Sequence, residues 1–347
     1  MFFAARNAVR LAALARPSPV FFVAATRRQL TKTATKGAAV KFYGGENGDS
    51  HAASPAPPSS NASSPGSAEA HHPPPVQPLK ASVHAALPPT MKSLSLFGKT
   101  VIVTGGARGL GNQMARACAE AGAKAVVIFD ANAQLGEQAA AELHGQSGVP
   151  VAYCTVDVRQ AEAIDVAVSD VVDRWGVPDV LVNAAGIADS NIKAEMYDPQ
   201  MFRRLIDINL TGTFLMSTSV ARHMIAAEKP GSIILVASMS GSIVNYPQEQ
   251  SCYNASKAGV IQFGKSIAAE WAKHKIRVNC ISPGYMDTAL NRVAALEAQK
   301  KVWTSLTPQN RLGGVHELNG LCVYLASDAS AFMTGSNLLI DGGYSCW

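Results

Sequence analysis

The sequence predicts an α/β fold, a parallel sheet covered by helices on both faces, and three observations carry it. Seven short apolar, β-branched runs recur at 100–104, 125–130, 151–157, 180–183, 232–237, 277–281 and 337–340. Ala-rich stretches of helical period lie between them, among them 112–121, 161–175, 202–226 and 253–274. A glycine-rich turn joins the first run to the first helical stretch. Continuous apolar strands alternating with helices are what right-handed βαβ units produce. Seven of them in about 250 residues make a doubly wound, Rossmann-like, seven-stranded parallel sheet. It is expected to form a single domain, 93–347.

Two segments precede that domain. Residues 1–45 hold eight Arg and Lys and no acid, the first being Glu46. Arg6, Arg10, Arg16, Arg27 and Arg28 alternate with Ala, Leu, Val and Phe, so residues 1–43 read as a mitochondrial transit-like segment. Arg28-Gln29-Leu30 before Thr31 resembles a matrix-processing site. An uncleaved basic tail on a cytoplasmic protein is the alternative, and a secretory signal fits worse because Arg and Pro break the apolar stretch. Residues 44–92 are rich in Pro, Ser, Ala and Gly; ten of the 19 prolines fall between His51 and Thr90. With few bulky apolar groups, this segment is expected to be a disordered linker.

Composition excludes several function classes. The chain of 347 residues is 48% hydrophobic, enough for a full core. Its net charge of +5 comes from the basic first segment; without it the rest is acidic by three, so no basic face argues for nucleic acid. The apolar run 20–25 is too short to cross a bilayer, so no membrane insertion is expected. Six scattered cysteines without a CxxC pair argue against a disulfide scaffold or zinc, and no metal constellation appears among the eight histidines.

Thr104-Gly105-Gly106-Ala107-Arg108-Gly109-Leu110-Gly111 follows the first strand and opens the first helix. The glycines allow a tight turn and close main-chain approach to a pyrophosphate, and the helix N-terminus offers free N–H groups. Asp130 ends the second strand 19 residues beyond Gly111. In that context the loop reads as dinucleotide-binding. A carboxylate at Asp130 accepts from the ribose hydroxyls and repels a 2′-phosphate, which favours NAD; Arg108 pulls toward NADP, which stays open. Helix N-capping and a solvated loop charge are the plainer readings of Asp130 and Arg108.

Tyr253 and Lys257 stand at i and i+4 on one helix face. Moving a hydride between a carbinol carbon and a nicotinamide needs a group for the hydroxyl proton, and a phenol near pKa 10 is a poor base at neutral pH. A neighbouring ammonium and the nicotinamide's charge would bring it toward the working range. Ser238, after the fifth strand, is placed to hydrogen-bond the substrate oxygen. A solvated helix face is the plainer reading of such a Tyr–Lys pair.

From Leu94 to Trp347 the sequence resembles the short-chain dehydrogenase/reductase family. The resemblance rests on Thr104–Gly111, Asp157, Asn183-Ala184-Ala185-Gly186, Asn209, Ser238, Tyr253-x-x-x-Lys257, and Pro283-Gly284 with Thr288. It implies Tyr253 as general acid/base, Lys257 on the nicotinamide ribose, Ser238 on the substrate oxygen, and Asn209 holding a water that relays protons from Lys257. It also implies adenine contacts from Asp157 and Val158, support of the sheet and adenosine side by Asn183 to Gly186, and a carboxamide contact from Thr288. Gly105, Arg108, Gly109, Leu110, Gly111, Asp130, Pro283 and Gly284 complete the implied cofactor set. One departure stands out: Ser238 lies 15 residues before Tyr253, longer than the family's usual spacing, and Ser240 lies 13 before. The Ser-x-x-Gly pattern ending at Gly241 favours Ser238, with Ser240 as the substitute.

The stretch 245–250 and the ending 341–347 look like those of fungal polyol dehydrogenases, the group of D-arabinitol 2-dehydrogenase, mannitol dehydrogenase and sorbose reductase. The implied reaction is reversible oxidation of a secondary polyol alcohol to a ketose, D-arabinitol to D-ribulose first. Gln248 and Glu249 are candidates for sugar hydroxyls, or equally a surface loop or subunit contact. A 3-oxoacyl thioester reductase or hydroxyacyl dehydrogenase is the second reading; it predicts a basic entrance from Arg292, Lys300, Lys301 and Arg311. A non-catalytic dinucleotide-binding scaffold is the third, disfavoured because Asn209, Ser238, Tyr253 and Lys257 are all present. The resemblance further implies a homotetramer or homodimer, through the Tyr253 helix and the C-terminal strand.

Overall fold

In the computed structural model, the described residues are 40–44, 76–288, 291–292 and 294–347. The bulk of the transit-like segment (1–39) and of the linker (45–75) lies outside them. In chain order the main elements are β1 (Val40–Tyr43), α1 (Ala81–Ala86), α2 (Pro89–Ser93), β2 (Thr100–Thr104), α3 (Gly109–Glu120), β3 (Ala125–Asp130), α4 (Ala133–Ser147), β4 (Val151–Thr155), α5 (Ala161–Trp175) and β5 (Val180–Asn183). They continue with α6 (Pro199–Ile206), α7 (Gly212–Ala226), β6 (Gly231–Val236), α8 (Ser251–Trp271), β7 (Ile276–Pro283), α9 (Glu297–Leu306), α10 (Asn319–Ala326) and β8 (Asn337–Ile340).

The sheet order is β1-β4-β3-β2-β5-β6-β7-β8. Every pairing from β2 to β8 is parallel, and the order reverses between β2 and β5. Strand residues alternate between two cores. Val101, Val103, Val126 and Ile128 pack with Met114, Leu143 and Leu325 of α3, α4 and α10. Ile102, Val127 and Phe129 face the other way, toward Ile164, Met216 and Val260 of α5, α7 and α8. Each such fully buried side chain contributes about 1.5 to 3 kcal/mol, which explains why the strands read as unbroken apolar runs.

Three expectations need correction. The sheet has eight strands, not seven: β1 pairs antiparallel with β4, Val40 opposite Cys154 and Tyr43 opposite Val151. These four residues stood at the end of the transit-like segment. Their role is set by the open edge of β4, whose unpaired backbone groups take a partner strand, and by Phe42, which packs edge-on to Trp175 under Arg174. The linker also ends early, because Val76 is buried, Leu79 donates its N–H to Glu120 O, and α1 and α2 follow. Finally, the helical stretch 202–226 spans α6 and α7, joined by a π-helical turn, Asp207–Thr211, that contains Asn209.

Candidate active site

The phosphate-loop candidate is shaped by main-chain contacts. At Gly105, φ is +64° and an added Cβ would lie 2.8 Å from Ala185 Cα; at Gly111 it would lie 2.3 Å from Gly105 O. Both glycines therefore let the loop fold against the end of β5 and the start of α3. Gly109, also at positive φ, faces open space. No side chain caps α3 and no acid stands in its first turn, so its N–H groups point into that space as a phosphate requires. The cradle fits a dinucleotide pyrophosphate. Leu110 is half-buried behind it, and the Arg108 side chain is exposed.

Asp130 closes β3 beside this loop. Its Oδ2 accepts from Ala107 N at 3.1 Å and its Oδ1 from Asn132 N at 3.0 Å, so it also ties the loop to the start of α4. Asn132, not Asp130, caps α4. Asp157 follows β4 on the same rim; its carboxylate is held below its ordinary range by Arg159, with Nη2 at 2.5 Å. Val158 packs against Gly212, where a Cβ would lie 2.6 Å from Val158 Cγ2.

Asn183 fills the sheet-supporting part of its expected role and not the cofactor-binding part. It is buried: Oδ1 accepts from Thr104 Oγ1 at 2.9 Å, and Nδ2 donates to Thr213 O at 3.0 Å. Thr104 Oγ1 in turn accepts from Ala184 N and Ala185 N. This side chain clamps β2, β5 and α7 and leaves no group for a cofactor.

Ser238, Tyr253 and Lys257 converge at the C-terminal ends of β5 and β6. Lys257 is buried, Nζ donates to Val236 O at 2.9 Å, and burial lowers its pKa to about 8. Its Nζ lies 5.8 Å from the Tyr253 ring centroid. The expected depression of the Tyr253 pKa is absent in the protein alone: burial pushes the phenol up, and the Ser238 hydroxyl is close enough to pull it partly back. The same contact favours Ser238 over Ser240 as the partner of the phenol. Ser240 is engaged with Gln250 Nε2 at 3.2 Å and with Ser238 itself at 3.0 Å. Ser238 can approach because Gly241 lies on α8, where a Cβ would meet the Lys257 carbonyl carbon at 2.7 Å.

Asn209 is fully buried beside them. Its Oδ1 accepts from Ile187 N and its Nδ2 donates to Ile187 O, both at 2.9 Å, and Nδ2 also reaches Ser256 Oγ at 3.0 Å. Asn209 Oδ1 and Lys257 Nζ border Gly186, 3.2 and 3.5 Å from where its Cβ would lie. Pro283 ends β7, and Gly284 abuts Asp341, whose Cα a Cβ would approach to 2.6 Å. Thr288 lies half-buried in the loop beyond, its N–H on Met286 O.

The substrate-side residues differ from expectation. Glu249 is exposed, whereas Gln248 is buried with its amide engaged by Tyr285, Trp303, Gln299 and Gln250. Tyr285, Trp303 and Gln250 were not singled out by sequence. Only the position of Tyr285 between Pro283-Gly284 and Thr288 hinted at the first.

Comparison with known proteins decides what this rim belongs to. A family model described as enoyl-(acyl carrier protein) reductase matches residues 105–345. D-arabinitol 2-dehydrogenase [ribulose-forming] of Candida tropicalis is 40% identical over 270 residues, covering 74% of this chain and 95% of that protein. The chain belongs to the short-chain dehydrogenase/reductase family. It is an oxidoreductase of the kind that acts on CH–OH groups. NADP-dependent mannitol dehydrogenase of Alternaria alternata is 42% identical over 253 residues, covering 72% of this chain and 93% of that one. Among solved short-chain dehydrogenase/reductase structures, a gluconate 5-dehydrogenase from Burkholderia cenocepacia in complex with NADP and tartrate is similar at a TM-score of 0.69. It is 34% identical and covers 74% of this chain and 99% of that chain.

Proposed function

We propose that the protein interconverts a secondary polyol alcohol and a ketose, D-arabinitol and D-ribulose first, with NAD as the hydride acceptor. The observation that carries this reading is the convergence of Ser238, Tyr253 and Lys257 on one corner beside the glycine cradle, in a chain whose relatives are named for polyols. When bound, the nicotinamide supplies the acceptor for the hydride that leaves the carbinol carbon. Tyr253, as the phenolate that the Lys257 ammonium and the bound nicotinamide's charge would favour, takes the hydroxyl proton as that carbon becomes a ketone carbon, and as the phenol returns it in the reverse direction. Ser238 holds the substrate oxygen. Lys257, protonated for the most part at neutral pH, puts positive charge near the phenol, and the N–H groups not given to Val236 O would hold the nicotinamide ribose. Asn209 Oδ1 and Lys257 Nζ both border Gly186, where they would hold a water that extends the proton path.

Residues 105–111 would cradle the pyrophosphate, Asp130 the adenosine ribose, Asp157 and Val158 the adenine, and Thr288 the carboxamide. The Asp130 carboxylate favours NAD by repelling a 2′-phosphate. The thioester reading loses support at its own entrance, where three of its four cations are paired: Arg292 with Asp287, Lys300 with Glu297, and Arg311 with Glu317, Lys301 being the fourth. We also infer mitochondrial delivery by the Arg-rich start of the chain, since cleavage near Thr31 would leave β1 with the enzyme; fusing residues 1–44 to a fluorescent protein tests it. Assembly as a homodimer or homotetramer fits the exposed Phe214, edge-on to Phe263 of α8; sedimentation tests that.

The deciding experiment is a panel of initial rates with arabinitol, mannitol, xylitol, ribulose, fructose and a 3-oxoacyl thioester, each with both dinucleotides. Turnover of arabinitol and ribulose with NAD is expected. Turnover of the thioester alone eliminates the polyol reading. Asp130→Ala is expected to weaken both dinucleotides, because the loop loses its tether, while narrowing their ratio; an unchanged ratio removes Asp130 from cofactor choice.

A further inference from the structure

Between the Ser238 turn and α8 the chain inserts Asn245, Gln248 and Gln250, three amides that composition alone would place in solvent. All three are buried. An uncompensated buried amide costs about 1 to 3 kcal/mol, so their partners define what they do.

Gln248 has both ends of its amide committed. Nε2 donates to Tyr285 OH at 2.9 Å and to Gln250 Oε1 at 3.4 Å, while Oε1 accepts from Trp303 Nε1 at 2.8 Å and Gln299 Nε2 at 3.3 Å. Trp303 and Gln299 belong to α9, and Tyr285 stacks on Trp303 with ring centroids 4.3 Å apart and planes 7° from parallel. Gln250 then donates through Nε2 to Asn245 Oδ1 at 2.7 Å, Asn254 Oδ1 at 3.1 Å and Ser240 Oγ at 3.2 Å. Ser240 Oγ accepts from Ser238 at 3.0 Å. The chain of contacts therefore runs from α9 through Gln248, Gln250 and Ser240 to Ser238, the hydroxyl that acts on the Tyr253 phenol, with the 3.4 Å contact between Gln248 and Gln250 its longest link.

Groups already engaged in this way are poorly suited to receive sugar hydroxyls, since each new bond would break an existing one. We propose that Gln248 and Gln250 are positioning residues that couple the seat of α9 to the placement of Ser238 at Tyr253. The inference rests on the dehydrogenase reading of the site and deepens it: where α9 sits sets how readily the phenol exchanges its proton. Lys257 on α8 and Cys280 on β7 bring ionisable groups to the same corner, the thiol kept neutral by burial with its pKa pushed up to about 12, and neither is altered by the substitutions below.

The test uses the full chain saturated with oxidised dinucleotide, with Gln250→Leu, Gln248→Leu and Trp303→Phe, the last keeping the ring stack and removing only the Nε1 donor. Expected for each are an unchanged dinucleotide Kd, a loss of about tenfold or more in kcat, and an ascending limb of the kcat profile moved to higher pH as Ser238 loosens its pull on the phenol. Gln248→Leu combined with Trp303→Phe is expected to cost no more than the larger single change. A rise in KM with kcat and pH profile unmoved would overturn the proposal in favour of direct sugar contacts. A loss that merely tracks the dinucleotide-binding fraction, with the profile unmoved, would overturn it in favour of a packing role. Ultraviolet difference titration of Tyr253 against Tyr253→Phe reads the same phenol without substrate. If no polyol turns over, the polyol reading fails while this titration still judges the relay: a phenol that titrates higher in Gln250→Leu supports it, and an unmoved one rejects it.

Discussion

Along the rim of the sheet, the end built on β2, β3 and β4 works through main chain, and the end built on β6, β7 and α9 works through side chains. Gly105 and Gly111 press backbone against backbone, and the face left to a dinucleotide is a row of N–H groups. Across the rim, a buried amide relay runs from Trp303, 55 residues from Gln248 in sequence, to the Ser238 hydroxyl, while the Lys257 ammonium is held by Val236 O beside the Tyr253 phenol. The first end depends chiefly on certain volumes staying empty, with the Asp130 carboxylate as a side-chain tether for the loop. The second needs particular atoms at particular distances. The two should therefore fail differently: added bulk should cost binding at the first end, and lost partners should cost turnover at the second.

The largest effect expected is at the main-chain end. Gly111→Val puts a branched Cβ where Gly105 O lies only 2.3 Å away, so dinucleotide Kd should rise about a hundredfold or more while the Tyr253 titration stays where it was. Wild-type affinity by fluorescence titration would break the comparison. At the other end, Gly241→Ala forces the Ser238 turn off α8, where the clash is with the Lys257 main chain at 2.7 Å. A fall in kcat of about tenfold or more, with dinucleotide Kd unchanged, is expected from stopped-flow turnover and binding on one preparation; a change in Kd alone would erase the distinction.

The smallest effect is on stability. Burial lowers the Lys257 pKa from 10.5 to about 8, so between those values the unfolded chain binds more protons than the folded one. The cost of burying the ammonium is thus fully present below pH 8 and fades as pH rises toward 10.5. Relative to Lys257→Met, wild type should gain a few degrees in Tm across that window; a constant difference from pH 7 to 10 would show that the ammonium is not desolvated.

This contrast also governs how much the sequence disclosed. Seven strands, the glycine loop, Asp130 and the Tyr253–Lys257 pair were legible because each is a local pattern, a run of β-branched residues or an i, i+4 spacing. β1 was not, since four residues in a basic segment carry no signal beyond the open edge they happen to match. The π-helical turn at Asn209 was hidden because the helical period of 202–226 runs on through it; the offset is set by Asn209 bonding Ile187, 22 residues earlier. The cofactor role of Asn183 rests on the family motif alone, and only its partners Thr104 and Thr213 show that its amide is spent inside the fold. The raised pKa of the phenol without cofactor is not legible from spacing either, because the separation of Tyr253 and Lys257 reports their proximity and not the burial they share.

The central claim is that the Tyr253 hydroxyl carries the proton while the main-chain cradle separately carries the dinucleotide. Tyr253→Phe, assayed for turnover and dinucleotide binding on the same preparation, tests it most directly. A loss of about 10² to 10⁴ in kcat with an unchanged dinucleotide Kd is predicted. Turnover within a factor of a few of wild type would contradict it.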